Sequence, residues 1–255
     1  MKANWKKWTE SYGLFVLVSL LLFSIWEWVV RTGMIPPFIL PAPSDISRAL
    51  LEHWELLFFE HLPATLKEVL AGFGISLAGG LLLGAAMHFN RIVEKVVYPF
   101  LVISQTIPTI ALSPIFIMWF GYSIWSKVAV TILIAFFPIV VSTYDGLKSG
   151  GTEYRELLLT MGATRLTIFR KVQVPLALPS ILSGIKMAVV YSVVGATIGE
   201  WLGAGEGLGY FSRRMSGNLQ ADAVFAAIFL LSLLGIVLFL LISLVEKRLV
   251  RNILH

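Results

Sequence analysis

The chain contains no cysteine, which excludes disulfides, thiolate metal sites and cysteine nucleophiles together. Charge is also scarce. Asp, Glu, Lys and Arg supply 14% of the 255 residues, where a soluble domain carries about a quarter. The surface that would meet water is therefore missing. No G-x-x-x-x-G-K-[ST] run occurs, so the chain offers no P-loop to cradle nucleotide phosphates. The histidines, His53, His61, His88 and His255, show no metal-ligand spacing within one helix, and no metal centre is expected. No serine–histidine–acid or paired-carboxylate constellation is apparent, so membrane hydrolase chemistry finds no support.

What the chain has instead is apolar length. Hydrophobic residues make up 57% of it. A helix needs roughly 20 apolar residues to cross a hydrocarbon core, and six runs qualify: about 12–30, 65–87, 97–119, 127–144, 175–199 and 223–245. The first could be mistaken for a secretory signal, but it runs on through Glu27-Trp28-Val29-Val30 without a small-x-small cleavage site. It reads as a retained span. The third run contains Pro99, Pro108 and Pro114, and the fourth contains Pro138. Proline-broken helices survive in membranes where protein or a water-filled path satisfies the freed backbone groups, so these two spans are expected to face the protein interior. A plain kink in a packed bundle is the other reading.

Six spans put both termini on one side. If that side is the cytoplasm, thirteen Lys and Arg fall in the inside segments and six in the outside segments and span edges, Lys127 among the six. The positive-inside rule then places the termini inside. The same rule accounts for the net charge of +5 without nucleic acid. Lys186 is read as the one basic residue within a span, and the spans as almost free of carboxylates. A secondary transporter would need ion-coordinating groups inside its spans and an inverted repeat; neither is visible.

Two connections exceed plain turns. Residues 31–64 begin with a proline-rich entry, Pro36 to Pro43. A cap at Ser44-Asp45 and an amphipathic segment from Ile46 to Phe59 follow, expected to lie along the outer membrane surface. Residues 145–174 carry Leu157, Leu158, Met161, Leu166, Ile168 and Phe169 at roughly helical spacing among charges, interrupted by Gly162. Two short amphipathic helices around a glycine break need a cover. A soluble partner would supply it, and so would the bilayer or the bundle itself. Gly205-x-Gly207-x-Gly209 lacks the spacing and βαβ context of a dinucleotide site and reads as a turn.

The spacing of Glu156, Gly162 and Val172-x-Val174-Pro175 resembles the EAA loop of binding-protein-dependent ABC importer permeases, with Leu157-Leu158 in place of its two alanines. Leu40-Pro41-Ala42-Pro43-Ser44, His61-Leu62-x-x-Thr65-Leu66, Gln105-Thr106-Ile107-Pro108, Trp119-Phe120-Gly121, Ser126-Lys127-Val128 and Phe136-Phe137-Pro138-Ile139 follow in order. They are similar to the nitrate, sulfonate and taurine branch of that family. Glu200-Trp201-Leu202-Gly203 leading into Gly207-Leu208-Gly209-Tyr210 is closer to its thiamine-precursor permeases.

The resemblance implies an all-α, polytopic membrane protein of the type I ABC importer permease fold. Residues 1–255 would form one permease domain, with an N-terminal span at 12–30, core spans over 65–245 and a cytoplasmic coupling loop at 145–174. It implies a transport subunit without an ATPase site, in a bacterial inner membrane. Its partners would be two ATP-binding subunits carrying ATP and Mg, an extracytoplasmic solute-binding protein and a second permease copy. The solute would be a thiamine pyrimidine precursor such as an aminopyrimidine, with an aliphatic sulfonate, taurine or nitrate as the alternative. ATPase contact would fall on Glu153, Arg155, Glu156, Gly162, Ala163, Val172 and Pro175. Candidates for the translocation path are Gln105, Thr106 and Pro108 in the broken third span, Lys186, and Glu200 with Trp201 near the outer mouth. Lys186 could attract an anionic solute or pair with an acidic neighbour, and Glu200-Trp201 could equally be an interfacial cap.

Overall fold

The computed structural model describes residues 2–150, 152–203 and 205–254, with side chains described for 13–150, 154, 157–203 and 205–249. Among the described residues every regular element is helical. Eleven α-helices follow one another: α1 (Lys2–Arg31), α2 (Pro43–Glu52), α3 (Leu62–Phe89), α4 (Arg91–Ser104), α5 (Thr109–Phe120), α6 (Ile124–Ser149), α7 (Thr152–Thr160), α8 (Arg165–Ile168), α9 (Val174–Gly203), α10 (Leu208–Gly217) and α11 (Ala221–Leu254). One π-helical turn, Leu56–His61, leads into α3, and another, Phe169–Gln173, leads into α9.

The core is a three-helix stack of α3, α6 and α9 with α11 laid against α9. Small residues set its spacing, as they do where apolar surroundings provide no hydrophobic drive for helix association. Gly72 faces Thr131 and Gly84 faces Thr143, so α3 and α6 run parallel. Gly195 lies against the backbone of Thr131, and Gly146 against Ser180, so α9 runs antiparallel to α6. Val69, Phe73, Ile139, Leu182, Val189 and Leu238 fill the centre of the stack.

The parallel pairing decides the topology. Since α3 and α6 begin at the same face, the chain must recross between Phe89 and Ile124. The segment that does so is not the straight third span expected at 97–119. It is two helices, α4 and α5, bent by 102°. Pro108 is the cause. It lacks an amide hydrogen, its ring excludes the carbonyl four residues back, and α4 ends at that residue, Ser104. Pro99, Pro114 and Pro138 lie inside helices that continue past them. Counting the bent pair as one span gives six passages and puts both chain ends at one face.

Two other expectations need correction. The amphipathic stretch 46–59 is not one helix: α2 starts at Pro43 with Ala42 as its cap residue and stops at His53. Ser44 and Asp45 sit in its first turn, where they bond α1 instead. Arg31 donates to Ser44 Oγ at 2.6 Å and to Asp45 at 2.9 Å, and Ser44 donates to Glu27. The fourth and fifth spans are also longer than read, which shortens the 145–174 loop from both sides. The face with α2 and α10 is the cap face below, and the face with α7 and α8 is the loop face.

Candidate functional site

At the loop face the chain reverses on Gly162. Ala163 N–H donates to the Leu158 carbonyl at 2.9 Å and Gly162 N–H to the Leu159 carbonyl at 3.1 Å. This crossed pair with a left-handed residue (φ +83° at Gly162) is a Schellman motif, and glycine is the residue that adopts it without strain. Thr164 then caps α8, its hydroxyl accepting from Thr167 N–H at 3.3 Å.

The two halves of the loop differ in cover. Ile168 is buried, and the Phe169 ring packs on Phe89 and His88 at the end of α3, so the bundle itself covers the second half. On α7 and the residue just past its end, Tyr154, Leu157 and Met161 follow at i, i+3 and i+7 and are 59, 58 and 73% exposed. That stripe is left open. Gly150 and Gly146, at the exit of α6, lie against Gln173, Ala177 and Ser180 at the entry of α9, so the stems of the loop are packed together. Val172 and Pro175 are half-buried in that stem, and Ala163 is half-buried at the turn. Glu153, Arg155 and Glu156 belong to α7, but their side chains lie outside the described residues.

At the cap face lies a buried polar cluster. Lys127 Nζ on α6 meets Glu68 Oε1 on α3 at 3.1 Å, with the side chains 6% and 2% exposed. Glu200 on α9 accepts from Thr65 Oγ at 2.6 Å and from Gly209 N–H at 2.5 Å. Thr65 in turn accepts from Leu208 N–H at 2.9 Å, and His61 Nδ1 from Gly207 N–H at 3.1 Å. The glycine turn is thus a cradle for a buried carboxylate. Gly207 has φ +112°, and a side chain there would occupy the place of the Glu200 carboxylate.

Several path candidates separate on this geometry. Glu200 is fully buried in the cluster and is not at an open mouth. Its neighbour Trp201 is 45% exposed and lines an apolar cavity of about 620 Å³ with Ile110, Val194, Ile198, Ile236 and Phe239, between α5, α9 and α11. Ile110 is two residues past Pro108, so the break at Gln105 to Pro108 lies beside that cavity. Gln105 and Thr106 are exposed, and Thr106 Oγ returns to the Ile103 carbonyl at 2.8 Å. Lys186 lies elsewhere, paired with Glu246 of α11 at 2.6 Å, each about one-fifth exposed.

The sequence reading missed Glu68 and misplaced Lys127 at a span edge. The spans hold more charge than Lys186 alone. A detectable signal existed: His61, Thr65, Glu68 and Gly72 recur at i, i+4, i+7 and i+11, one polar and small stripe leading into a mostly apolar helix.

Residues 76–251 match the model of the binding-protein-dependent transport system inner membrane component family. The formylaminopyrimidine transport permease protein ThiX of Halalkalibacterium halodurans is 54% identical over 91% of this chain and 92% of its own length. The riboflavin transport system permease protein RibX of Chloroflexus aurantiacus is 35% identical over 94% and 90%. A putative aliphatic sulfonates transport permease, SsuC of Bacillus subtilis, is 28% identical over 92% and 86%. Among solved structures, an inward-facing conformation of the MetNI methionine ABC transporter superposes with a TM-score of 0.62, covering 76% of this chain and 94% of that one at 22% identity.

Proposed function

This chain belongs to the family of binding-protein-dependent transport system inner membrane components, and we propose that it carries a formylaminopyrimidine-type solute across the membrane. As a permease of an ABC importer it supplies the spans and no ATPase chemistry. The observation that carries the substrate reading is the 54% identity to a formylaminopyrimidine permease over nine-tenths of both chains, against 28% for the sulfonate relative.

The loop face is cytoplasmic in this reading, as the distribution of Lys and Arg favours, and the cap face meets the solute-binding protein. The open stripe of Tyr154, Leu157 and Met161 docks on an ATP-binding subunit, which carries ATP and Mg. Two permease copies pair, each with one ATPase. The packed stem at Gly146, Gly150 and Ala177 makes α7 a lever on α6 and α9. Movement of the ATPase pair is thereby passed to the spans and alternates access between the faces.

Two measurements test this. Native mass spectrometry of the cognate binding protein, purified with the ligand it carries from cells, should find a substituted aminopyrimidine. A sulfonate, taurine or nitrate would sink the substrate assignment and leave the permease assignment standing. Separately, Leu157→Asp with Met161→Asp should leave the melting temperature of the purified permease unchanged, because exposed positions tolerate such changes. The double variant should lose at least about tenfold in ATPase retention, since two apolar anchors are removed. Unchanged retention would rule out α7 as the docking helix.

A further inference from the structure

The cap-face cluster has an imbalance of charge that its hydrogen bonds resolve in one way. Lys127 contributes one positive charge, and Glu68 and Glu200 contribute two negative charges if both are ionised. His61 adds none: its Nδ1 accepts the Gly207 N–H, so that nitrogen carries no proton and the ring is neutral. Glu60, Glu206 and Arg214, which act on His61 electrostatically, are exposed at the surface. A net negative charge would then be left inside an apolar bundle, at a cost that buried ions avoid by pairing or neutralising.

The donors identify which carboxyl is neutral. Both oxygens of Glu200 are filled, one by the Thr65 hydroxyl and the other by the Gly209 amide. Thr65 accepts from Leu208 N–H, and its one hydroxyl proton goes to Glu200 at 2.6 Å in preference to the His61 carbonyl at 3.2 Å. Glu68 uses one oxygen for Lys127, while its Oε2 is buried with no donor. Glu68 and Glu200 also act on each other electrostatically, and two like charges sharing an apolar interior disfavour joint ionisation.

We propose that the cap-face cluster is a proton-binding site, with one proton on Glu68 Oε2 donated to the carboxylate of Glu200. The cluster is then neutral, and every buried oxygen has a partner. The site is closed by the 205–209 turn, whose amides are among its ligands. Lifting that turn would remove the Gly209 donor and the Leu208 bond to Thr65 together, and expose the proton to water.

The test is an infrared difference spectrum of the purified permease at neutral pH, wild type minus Glu68→Gln. The carbonyl stretch of a protonated carboxylic acid, shifting in deuterated buffer, is the expected result. Glu68→Gln, which mimics the protonated acid, should melt as the wild type does, and Glu200→Gln should melt well below it. A difference spectrum with carboxylate bands alone would overturn the proposal. If sodium also raised the melting temperature of the wild type but not of Glu68→Gln, a metal ion would be the compensating charge. Tolerance of Glu200→Gln with collapse of Glu68→Gln would move the proton to the other carboxyl and equally overturn it. Should Glu68→Gln fail to fold, wild-type protein with isotope-labelled glutamate carries the same band, and its absence is as decisive.

Discussion

The two ends of α6 carry the same pair of residue types at nearly the same distance in opposite surroundings. At the cap face Lys127 meets Glu68 at 3.1 Å with side chains 6% and 2% exposed. At the loop face Lys148 meets Glu94 at 3.0 Å with 61% and 31% exposed, and Tyr144 shares the same glutamate. Separation alone would rank the pairs as equal. Solvent decides otherwise: water can replace either partner at the loop face, whereas at the cap face the loss of Lys127 leaves a negative charge buried without a cation. The permease is thus fastened at one end and left free to engage at the other.

The largest effect should come from breaking this contrast directly. Lys127→Met leaves the single negative charge shared by Glu68 and Glu200 buried without its cation, and removing one partner of a buried pair costs about 3–5 kcal/mol. A large fall in the melting temperature of the detergent-purified protein is expected, or failure to accumulate. Lys148→Met should melt with the wild type. Equal shifts for the two variants would mean that burial does not separate them.

Two glycines sharpen the comparison, because both have positive φ and only one is crowded. At Gly207 an added methyl meets the Glu200 carboxylate, so Gly207→Ala combines backbone strain with overpacking, together roughly 3 kcal/mol. At Gly162 nothing lies near the added atom, and only the strain of a left-handed alanine remains, about 1 kcal/mol. The smaller thermal shift should still affect ATPase retention, because the Schellman turn sets the direction of α7. If Gly162→Ala melts as low as Gly207→Ala, the loop turn is more constrained than its open surroundings indicate.

How much of this was legible in the sequence follows the range of the interactions. The spans could be read because each is a local run of apolar residues. The break at Pro108 could be suspected from the missing amide, but its 102° angle depends on what α4 and α5 pack against. Gly162 carried its meaning locally, since a Schellman turn spans six residues. The cap-face cluster did not. Thr65 and Glu200 are 135 positions apart, and Lys127 looks like a span-edge lysine until α3 supplies Glu68. Glu200 beside Trp201 suggested an outer mouth, yet one residue, about 100° around the helix, separates a buried carboxylate from a cavity-lining indole. Which side each takes is set by α3 and α11, outside the local pattern.

The smallest effect concerns Lys186, where the comparison has an intermediate case. Its pair with Glu246 at 2.6 Å is about one-fifth exposed on both sides, between the sealed and the open examples. Partial access to solvent lowers the value of such a pair to on the order of 1 kcal/mol, so Lys186→Glu and Glu246→Lys alone should each lower the melting temperature slightly. Combined, they exchange the charges across the same gap and should restore it. Transport then separates two roles that stability cannot. If Lys186 serves only to hold α9 to α11, the exchanged pair moves solute at the wild-type rate in vesicles reconstituted with its ATPase and binding protein. A lysine that touches the solute would leave the double variant stable and slow, because the positive charge would now be on α11. That outcome would return Lys186 to the translocation path and mark α9 as the helix that reads the solute.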